Sequence, residues 1–192
     1  MNQTEPANAR LAPPPGVSAG AATQRSLLRM SAGGELVAVP IESVREILEV
    51  GRLTPLPRTP DFVRGVMNLR GAVVPVVDLS ARIEHGCTVV GRRSCIVVVE
   101  AGHPEGEGSE RSDSAAAHGP ALVAGLLVDA VFEVFDATLD QVEAVPMFGT
   151  RIHPHYLAAM ARARGEVISV LELARLLSVH ELADAIAAHQ PA

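Results

Sequence analysis

Short apolar runs alternate with turn-forming residues along most of the chain, and long stretches of helical periodicity are rare. Residues 26–30 (SLLRM) and 36–39 (LVAV) are short, mostly apolar segments on either side of Gly33 and Gly34, which predicts two strands joined by a hairpin turn. Residues 44–49 alternate between the two faces of an extended chain, as in a strand with one face exposed. The pattern therefore predicts a mainly β fold.

One stretch of the chain occurs twice. Residues 63–83 read VRGVMNLRGAVVPVVDLSARI, and residues 157–177, ninety-four positions later, read LAAMARARGEVISVLELARLL. Both copies contain Arg-Gly and then an aliphatic run that ends in an acidic residue and leucine. Other segments pair in the same order, at offsets that increase from 86 to 94. This repeat predicts two homologous halves, each a small antiparallel β-barrel of about five strands with short helical connections.

The first copy contains several local signals. Residues 61–66 are predicted to form a helical turn capped by Asp61, and residues 68–71, Asn-Leu-Arg-Gly, a tight turn. Residues 73–77 lack polar alternation, which predicts a strand covered on both faces. Pro75 cannot donate to a β-ladder, so the strand should lie at an edge or a bulge there.

The composition of the chain also indicates its domain boundaries. Residues 1–23 are rich in proline, alanine and glycine and are predicted to be a disordered tail, while residues 101–120 form a polar segment predicted to be a mobile loop. Residues 172–189 have apolar positions at helical spacing, which predicts a helix that closes a barrel or joins the two halves. We therefore expect one domain over residues 24–178, followed by the end of the C-terminal helix and a tail over residues 179–192.

The charged residues exclude several classes of function. The formal net charge is −6, and all sixteen basic residues are arginine. Phosphate-binding loops and Schiff-base enzymes need a primary amine, which arginine does not provide. An acidic chain with few aromatic residues is also a poor match for nucleic acid, because that affinity depends largely on cationic contacts with phosphate. A nucleic-acid-binding module or an acidic β-barrel enzyme is thus a weak alternative from a different class.

Candidate catalytic and metal-binding residues form no complete set. His153 and His155 are separated by a proline and have no nearby acidic residue or cysteine, so we expect no metal site or other cofactor. Cys87 and Cys95 are predicted to be free thiols. Asp78 follows a strand, as phospho-acceptor aspartates do, but the alternating pattern and lysine of such domains are missing, so a helix-capping role is expected. We therefore predict that the protein is not an enzyme.

Three segments resemble the bacterial chemotaxis coupling protein family, the CheW-like domains. They are residues 44–47 (VREI), residues 63–71 (VRGVMNLRG) and residues 74–79 (VPVVDL), and residues 125–134 (GLLVDAVFEV) provide a further match. The resemblance extends over roughly residues 24–178. It implies two SH3-like five-stranded β-barrel subdomains with short helices and a C-terminal helix.

The resemblance also implies a function and partners. Members of this family are noncatalytic adaptors that join the cytoplasmic tips of methyl-accepting chemoreceptors to the regulatory domain of a chemotaxis-type histidine autokinase. The first residues lack the apolar stretch of a signal peptide, and the longest apolar run, residues 121–128, is too short to cross a bilayer, so we expect a cytoplasmic protein. The resemblance adds that it is held at the inner face of the membrane through receptor arrays. An adaptor of the same family in a non-flagellar pathway, such as type IV pilus motility or surface sensing, is the alternative.

The resemblance places a receptor-binding surface in the first half of the chain. The residues implied are Val44, Glu46, Gly65 and Arg70, with Asn68 and Leu69 beside them. In the second half, Ala159 takes the place of Gly65, and Arg162 and Ala163 take the places of Asn68 and Leu69. Only the first half is therefore expected to bind the receptor, while the kinase contact lies elsewhere on the barrels, at residues that the resemblance does not assign.

Overall fold

A computed structural model describes residues 24–101, 122–146 and 149–177. The strands in this part are β1 (Arg25–Ala32), β2 (Glu35–Pro40), β3 (Val44–Glu49), β4 (Val63–Leu69), β5 (Ala72–Asp78), β6 (Cys95–Ala101), β7 (Leu122–Val128), β8 (Ala130–Ala137), β9 (Val142–Glu143), β10 (Leu157–Ala163) and β11 (Glu166–Leu171). The helices are α1 (Leu79–Arg82) and α2 (Leu173–Leu176), with 3-10 turns at Ile41–Ser43, Leu139–Gln141 and Pro154–Tyr156.

Three predicted segments lie wholly or partly outside the described residues: the whole tail at residues 1–23, all but the first residue of the loop at 101–120, and the C-terminal helix beyond residue 177. No described helix is long and apolar enough to span a bilayer.

The strands form two sheets. One has six strands in the order β8-β1-β2-β11-β10-β9, and the other has five strands in the order β3-β6-β7-β5-β4. The prediction of a mainly β protein with two small β subdomains is confirmed. The pairing is antiparallel except at one place in each sheet, where β2 runs parallel to β11 and β5 runs parallel to β7.

Each repeat contributes its first hairpin to the sheet of the other repeat. The hairpin β1-β2 belongs to the six-stranded sheet, together with the strands of the second half, and β6-β7 belongs to the five-stranded sheet, together with those of the first. The two sheets correspond strand by strand, since β8, β1, β2, β11 and β10 take the places of β3, β6, β7, β5 and β4. The expected subdomains are therefore not contiguous in sequence, and the parallel pairs occur where an exchanged hairpin meets its new sheet.

The apolar side chains pack into three clusters. The largest contains β1 and β2 residues such as Met30 and Val39, β6 and β7 residues such as Val97 and Leu126, and the apolar residues of α1 and α2. A second cluster around Ala161 and Ile168 belongs to the six-stranded sheet alone, and a third around Val76, Ile96, Val98 and Leu127 belongs to the five-stranded sheet alone. Alternate residues of the central strands thus enter different clusters, so these strands are covered on both faces.

Two local predictions for the first repeat are wrong. Residues 61–66 do not form a helical turn, because β4 begins at Val63 and pairs with β5. Val73 is 61% exposed, so the strand is covered on both faces only from Val74 onward. Pro75 agrees with its prediction, since it pairs with β4 alone and β7 joins β5 only at Val76.

Arg82 connects the two copies of the repeat at equivalent positions. Its Nε donates a hydrogen bond of 2.8 Å to the carbonyl oxygen of Leu176, which is ninety-four residues away and is its counterpart in the second copy. Its guanidinium lies 4.2 Å from the ring centre of Phe62 and 5.2 Å from that of Tyr156, two residues that also correspond in the repeat. Arg82 is buried, so these contacts join the halves through a desolvated cation.

Replacing Arg82 with methionine is expected to lower the free energy of unfolding by about 2 kcal/mol, because a charged hydrogen bond and two ring contacts are lost while much of the volume is kept. Urea denaturation measures this change. Arg175→Met is the matched control, since Arg175 is exposed on α2, and it should change stability by less than about 0.5 kcal/mol. Equal losses in both variants would contradict a connecting role for Arg82.

Candidate functional site

Glu46 and Arg70 form an ion pair across the open side of the five-stranded sheet. Nη2 of Arg70 lies 3.3 Å from Oε2 of Glu46. Glu46 belongs to β3 and Arg70 follows β4, and these are the two edge strands of the sheet. The ion pair therefore brings the edges together, as expected for a sheet that curls into a barrel. The side chain of Arg70 remains 81% exposed, so its guanidinium is available to a partner.

The turn that carries Arg70 has an unusual backbone. Arg70 and Gly71 have φ angles of +53° and +90° and link β4 directly to β5. Two successive residues with positive φ form the tight hairpin turn that matches strand twist. Asn68 lies at the end of β4, and its Oδ1 accepts a hydrogen bond of 3.0 Å from the Gly71 backbone N–H. The predicted turn at residues 68–71 is confirmed. The two residues with positive φ are Arg70 and Gly71, and Asn68 stabilises the turn through its side chain.

Leu69 and Val44 are half-buried and face different clusters. Leu69 packs against the apolar cluster inside the five-stranded sheet, and Val44 packs against the large cluster between the sheets. Along β3 itself, Val44 faces the large cluster and Leu48 the cluster of the five-stranded sheet, and a β-bulge between Val44 and Glu46 shifts the register against β6 between them. Neither side chain is fully available to a partner in this arrangement.

Gly65 is buried and serves an internal contact. Its φ of +131° lies in the region that favours glycine, and a Cβ at this position would overlap the carbonyl oxygen of Thr54. Thr54 and Val66 exchange two backbone hydrogen bonds of 2.8 Å each, which hold the connector before β4 against that strand. The close approach that requires glycine here is therefore made by Thr54, inside the same chain.

The second half contains an equivalent ion pair. Arg164 follows β10 as Arg70 follows β4, with a φ of +52°, and its Nη2 lies 2.7 Å from Oε2 of Glu133 on β8. Glu133 also contacts Arg29 of β1, which in turn pairs with Glu166. Sequence reasoning missed this pair. The repeat matches Glu46 with Glu133 and Arg70 with Arg164, so the Glu46–Arg70 pair, once seen in the structure, predicts its equivalent in the second half.

The two surfaces differ beside the ion pair. At the position of Asn68 the second half has Arg162, whose Nε donates a hydrogen bond of 2.8 Å to Oε1 of Glu143 on β9. This hydrogen bond and the charge of Arg162 lower the pKa of the Glu143 carboxyl. Beside its ion pair, the second half therefore presents the paired charges of Arg162 and Glu143, where the first half presents the neutral amide of Asn68.

Asp78 is a structural residue. It caps α1 as predicted, accepting a hydrogen bond of 3.2 Å from the Ala81 backbone N–H. Its fully buried carboxylate also accepts hydrogen bonds from the backbone N–H and the hydroxyl of Thr88, at 2.9 and 2.8 Å, and lies 3.3 Å from Nη1 of Arg64. In the second copy Glu172 stands at the same place before α2, but its side chain makes no capping hydrogen bond.

The remaining candidate residues are separate from this surface. Cys87 and Cys95 are both free, and burial raises the pKa of the Cys95 thiol, which disfavours a reactive thiolate. His153 caps the turn that follows it, because its Nδ1 accepts from the His155 backbone N–H at 3.2 Å. Residues 24–101, 122–146 and 149–177 contain no group of three His, Cys, Asp or Glu residues placed to hold a metal ion.

Comparison with known proteins agrees with this architecture. Residues 26–181 match the family described as CheW-like domain. The chain is 26% identical to the Chemotaxis protein CheW of Klebsiella aerogenes over 165 residues, which cover 86% of this chain and 89% of that protein. It is 30% identical to Protein FrzA of Myxococcus xanthus over 168 residues, or 87% of this chain and 94% of FrzA.

A solved structure is also similar. The crystal structure of scaffolding protein TtCheW from Thermoanaerobacter tengcongensis superposes with a TM-score of 0.67 at 28% identity, and the match covers 83% of this chain and 96% of TtCheW. The two β subdomains are accordingly of the SH3-like type. The match over most of the chain shows that this protein belongs to the CheW-like domain family.

Proposed function

We propose that this protein is a noncatalytic scaffold that couples the cytoplasmic tip of a methyl-accepting chemoreceptor to the regulatory domain of a histidine autokinase. The observation that carries the receptor side of this proposal is the exposed Glu46–Arg70 ion pair, formed by two residues that family resemblance assigns to the receptor contact. TtCheW, which has the same fold, is described as a scaffolding protein.

The chemistry of this surface suits a helical receptor tip. Arg70 presents a planar guanidinium, which binds carboxylates or backbone carbonyls through two parallel hydrogen bonds. Beside it, Asn68 is exposed, and Val73, its partner across the β4-β5 hairpin, supplies an exposed aliphatic side chain. A polar anchor with an adjacent apolar contact is the usual arrangement where an amphipathic helix binds. Val73 therefore extends the site implied by the resemblance.

Gly65 and Val44 contribute indirectly in this proposal. Gly65 lets the connector at Thr54 lie against β4, and Val44 anchors β3 in the core, so both determine where Glu46 and Arg70 stand. Changes at either position would disturb the surface without removing a direct contact to the receptor.

Arg70→Glu is expected to weaken binding of a purified receptor tip about 30-fold or more, because a hot-spot arginine contributes on the order of 2 kcal/mol and the reversed charge repels the same acceptor. Calorimetric titration measures the dissociation constant. The fold should keep its stability, because an exposed ion pair contributes little.

Two variants sharpen this test. Arg164→Glu breaks the equivalent ion pair of the second half and should leave the dissociation constant unchanged. Glu46→Arg combined with Arg70→Glu restores an ion pair with reversed polarity and should still fail to bind. Normal receptor binding by either Arg70 variant would remove Arg70 from the site.

The kinase side is tested by reconstitution. Receptor-containing membranes and the kinase should show receptor-dependent autophosphorylation only when this protein is added, and Arg70→Glu should abolish that dependence while the protein still binds the kinase. A fluorescent fusion should collect at receptor clusters on the cytoplasmic side of the membrane. Co-purification of the native receptor identifies the pathway, flagellar or non-flagellar, and stimulation of the kinase without any receptor would contradict the coupling function.

A further inference from the structure

Both halves carry the same contact elements at equivalent positions. In each half an arginine follows a hairpin strand and pairs with a glutamate of an edge strand, and an exposed valine stands three positions after the arginine. These residues are Arg70, Glu46 and Val73 in the first half, and Arg164, Glu133 and Val167 in the second half. The two arginine side chains are 81% and 72% exposed. The elements proposed to bind the receptor are therefore present twice.

Four positions around these elements differ in charge between the halves. Because the two sheets correspond strand by strand, equivalent positions are those with equivalent partners in the strand pairing. The pairs, with the first-half residue given first, are Val98 and Arg29, Thr54 and Glu143, Asn68 and Arg162, and Ala72 and Glu166. The second half thus adds two arginines and two glutamates at places where the first half is neutral.

Two of the added charges form a continuous network with the ion pair of the second half. Nη1 of Arg29 lies 3.4 Å from Oε1 of Glu133, whose other carboxylate oxygen lies 2.7 Å from Nη2 of Arg164. Arg29 also pairs with Glu166 through its Nη2. Only 13% of the Arg29 side chain is exposed, so Arg29 holds these two carboxylates from below the surface. The other two added charges, Arg162 and Glu143, pair with each other.

The corresponding place in the first half is neutral. Val98 is fully buried where the second half has Arg29, and Glu46 forms an ion pair with Arg70 alone among the described residues. The three other first-half residues are exposed, and they are Thr54, Asn68 and Ala72. A partner that reaches Arg70 therefore meets neutral side chains at these positions.

These differences change what each surface can bind. Glu143 and Glu166 are 55% and 50% exposed, so they repel a carboxylate that approaches the Arg164 turn. A partner would also have to remove water from charges that are already paired, which is costly when they gain no new contact. At the first surface the same partner gains a contact with Arg70 and removes water from neutral groups at the equivalent positions.

We propose, on the basis of the receptor-binding function proposed above, that Arg29, Glu143, Arg162 and Glu166 are specificity-determining residues that prevent the receptor tip from binding the second half. Such residues act by making the wrong surface unfavourable, while the right surface keeps its contacts. Each scaffold then binds one receptor tip in one orientation, although its fold is internally duplicated.

The test replaces the four residues with their first-half counterparts. Arg29→Val, Glu143→Thr, Arg162→Asn and Glu166→Ala together remove two positive and two negative charges, so the net charge of the chain is unchanged. In the Arg70→Glu background, where the first surface is disabled, this fourfold exchange is expected to tighten binding of the purified receptor tip about tenfold or more, measured by calorimetric titration. With Arg70 intact, the number of receptor tips bound per chain should rise from one to two.

Arg164 provides the control for this exchange. Adding Arg164→Glu to the exchanged protein should remove the restored binding, because that binding takes place at the second surface. Urea denaturation checks the fold of each variant, since Arg29→Val places an apolar side chain where a charged one stood.

A reverse exchange tests the first half, where no buried residue is changed. Ala72→Glu places a carboxylate beside Arg70, as Glu166 stands beside Arg164, and it should weaken receptor binding about tenfold. Ala158→Glu is the matched control, since Ala158 is exposed on β10 of the other sheet, and it should change the dissociation constant by less than about twofold.

Two results would overturn the proposal while leaving the scaffold function intact. One is a native protein that binds the receptor tip through Arg70, together with a folded exchanged protein that binds none once Arg70 is reversed. The other is equal weakening by Ala72→Glu and Ala158→Glu, which would indicate a general charge effect, and this comparison decides alone if the fourfold exchange unfolds the protein. A native protein that does not bind the receptor tip at all would contradict the scaffold function, and the proposal with it.

Discussion

Asp78→Asn is expected to cost about 3 kcal/mol of the free energy of unfolding, measured by urea denaturation. The fully buried carboxylate accepts hydrogen bonds from Ala81 and, twice, from Thr88, and it pairs with Arg64. An amide of the same shape keeps one acceptor oxygen and places an N–H group where the other oxygen received a donor. At least one buried donor is then unsatisfied, and Arg64 loses its counter-charge.

The control for this variant is Asp61→Asn, because Asp61 is exposed and has no hydrogen bond within the described residues. Its effect on stability should be below about 0.5 kcal/mol. The Thr88 contacts also hold the loop after α1, so Asp78→Asn should increase amide hydrogen exchange in residues 84–94. A stability loss below about 1 kcal/mol would contradict this account, because it would show that water molecules replace the lost hydrogen bonds of the Asp78 carboxylate.

Gly65→Ala is expected to destabilise the protein by at least about 3 kcal/mol, since the added methyl group overlaps a backbone carbonyl and the backbone at this residue has a positive φ. Relief would require the connector at Thr54 to move away from β4, which breaks the two hydrogen bonds between Thr54 and Val66. Thermal or urea unfolding measures the loss.

Gly71→Ala separates the two causes of that loss. Gly71 has a φ of +90°, but apart from its own residue and its two chain neighbours no heavy atom lies within 4 Å of its Cβ position, so this variant has the backbone strain without the overlap. It should cost about 1–2 kcal/mol. If the Gly65 variant is as stable as the native protein and still fails to bind the receptor, then Gly65 contacts the receptor directly and does not serve the contact with Thr54.

Several local features could be predicted because they depend on residues a few positions apart. Four such predictions agree with the structure: the hairpin at Gly33-Gly34, the alternation along β3, the helix cap at Asp78, and the interrupted strand pairing at Pro75. Each follows from the steric or hydrogen-bonding preference of one residue type, which acts before any distant contact forms.

The errors arose where distant contacts override such preferences. Asp61 before an apolar run is a normal helix signal, but the next residues pair with β5 and are extended. Val73 continues an apolar run and is nevertheless exposed near the end of its hairpin, beyond the part of β5 that pairs with β7. A strand that can pair buries more apolar surface than a single helical turn, so tertiary contacts decide its conformation.

By itself, the sequence determined the β class, the internal repeat, the family and the positions of the Arg-Gly turns, since these depend on composition, periodicity and motif. The tertiary structure decided which sheet each hairpin enters, that Glu46 is the partner of Arg70, and that the close neighbour of Gly65 is Thr54. Each of these is a contact between residues 11 or more positions apart, or between the two halves. Such contacts depend on strand register and on how each sheet closes, and no local pattern encodes them.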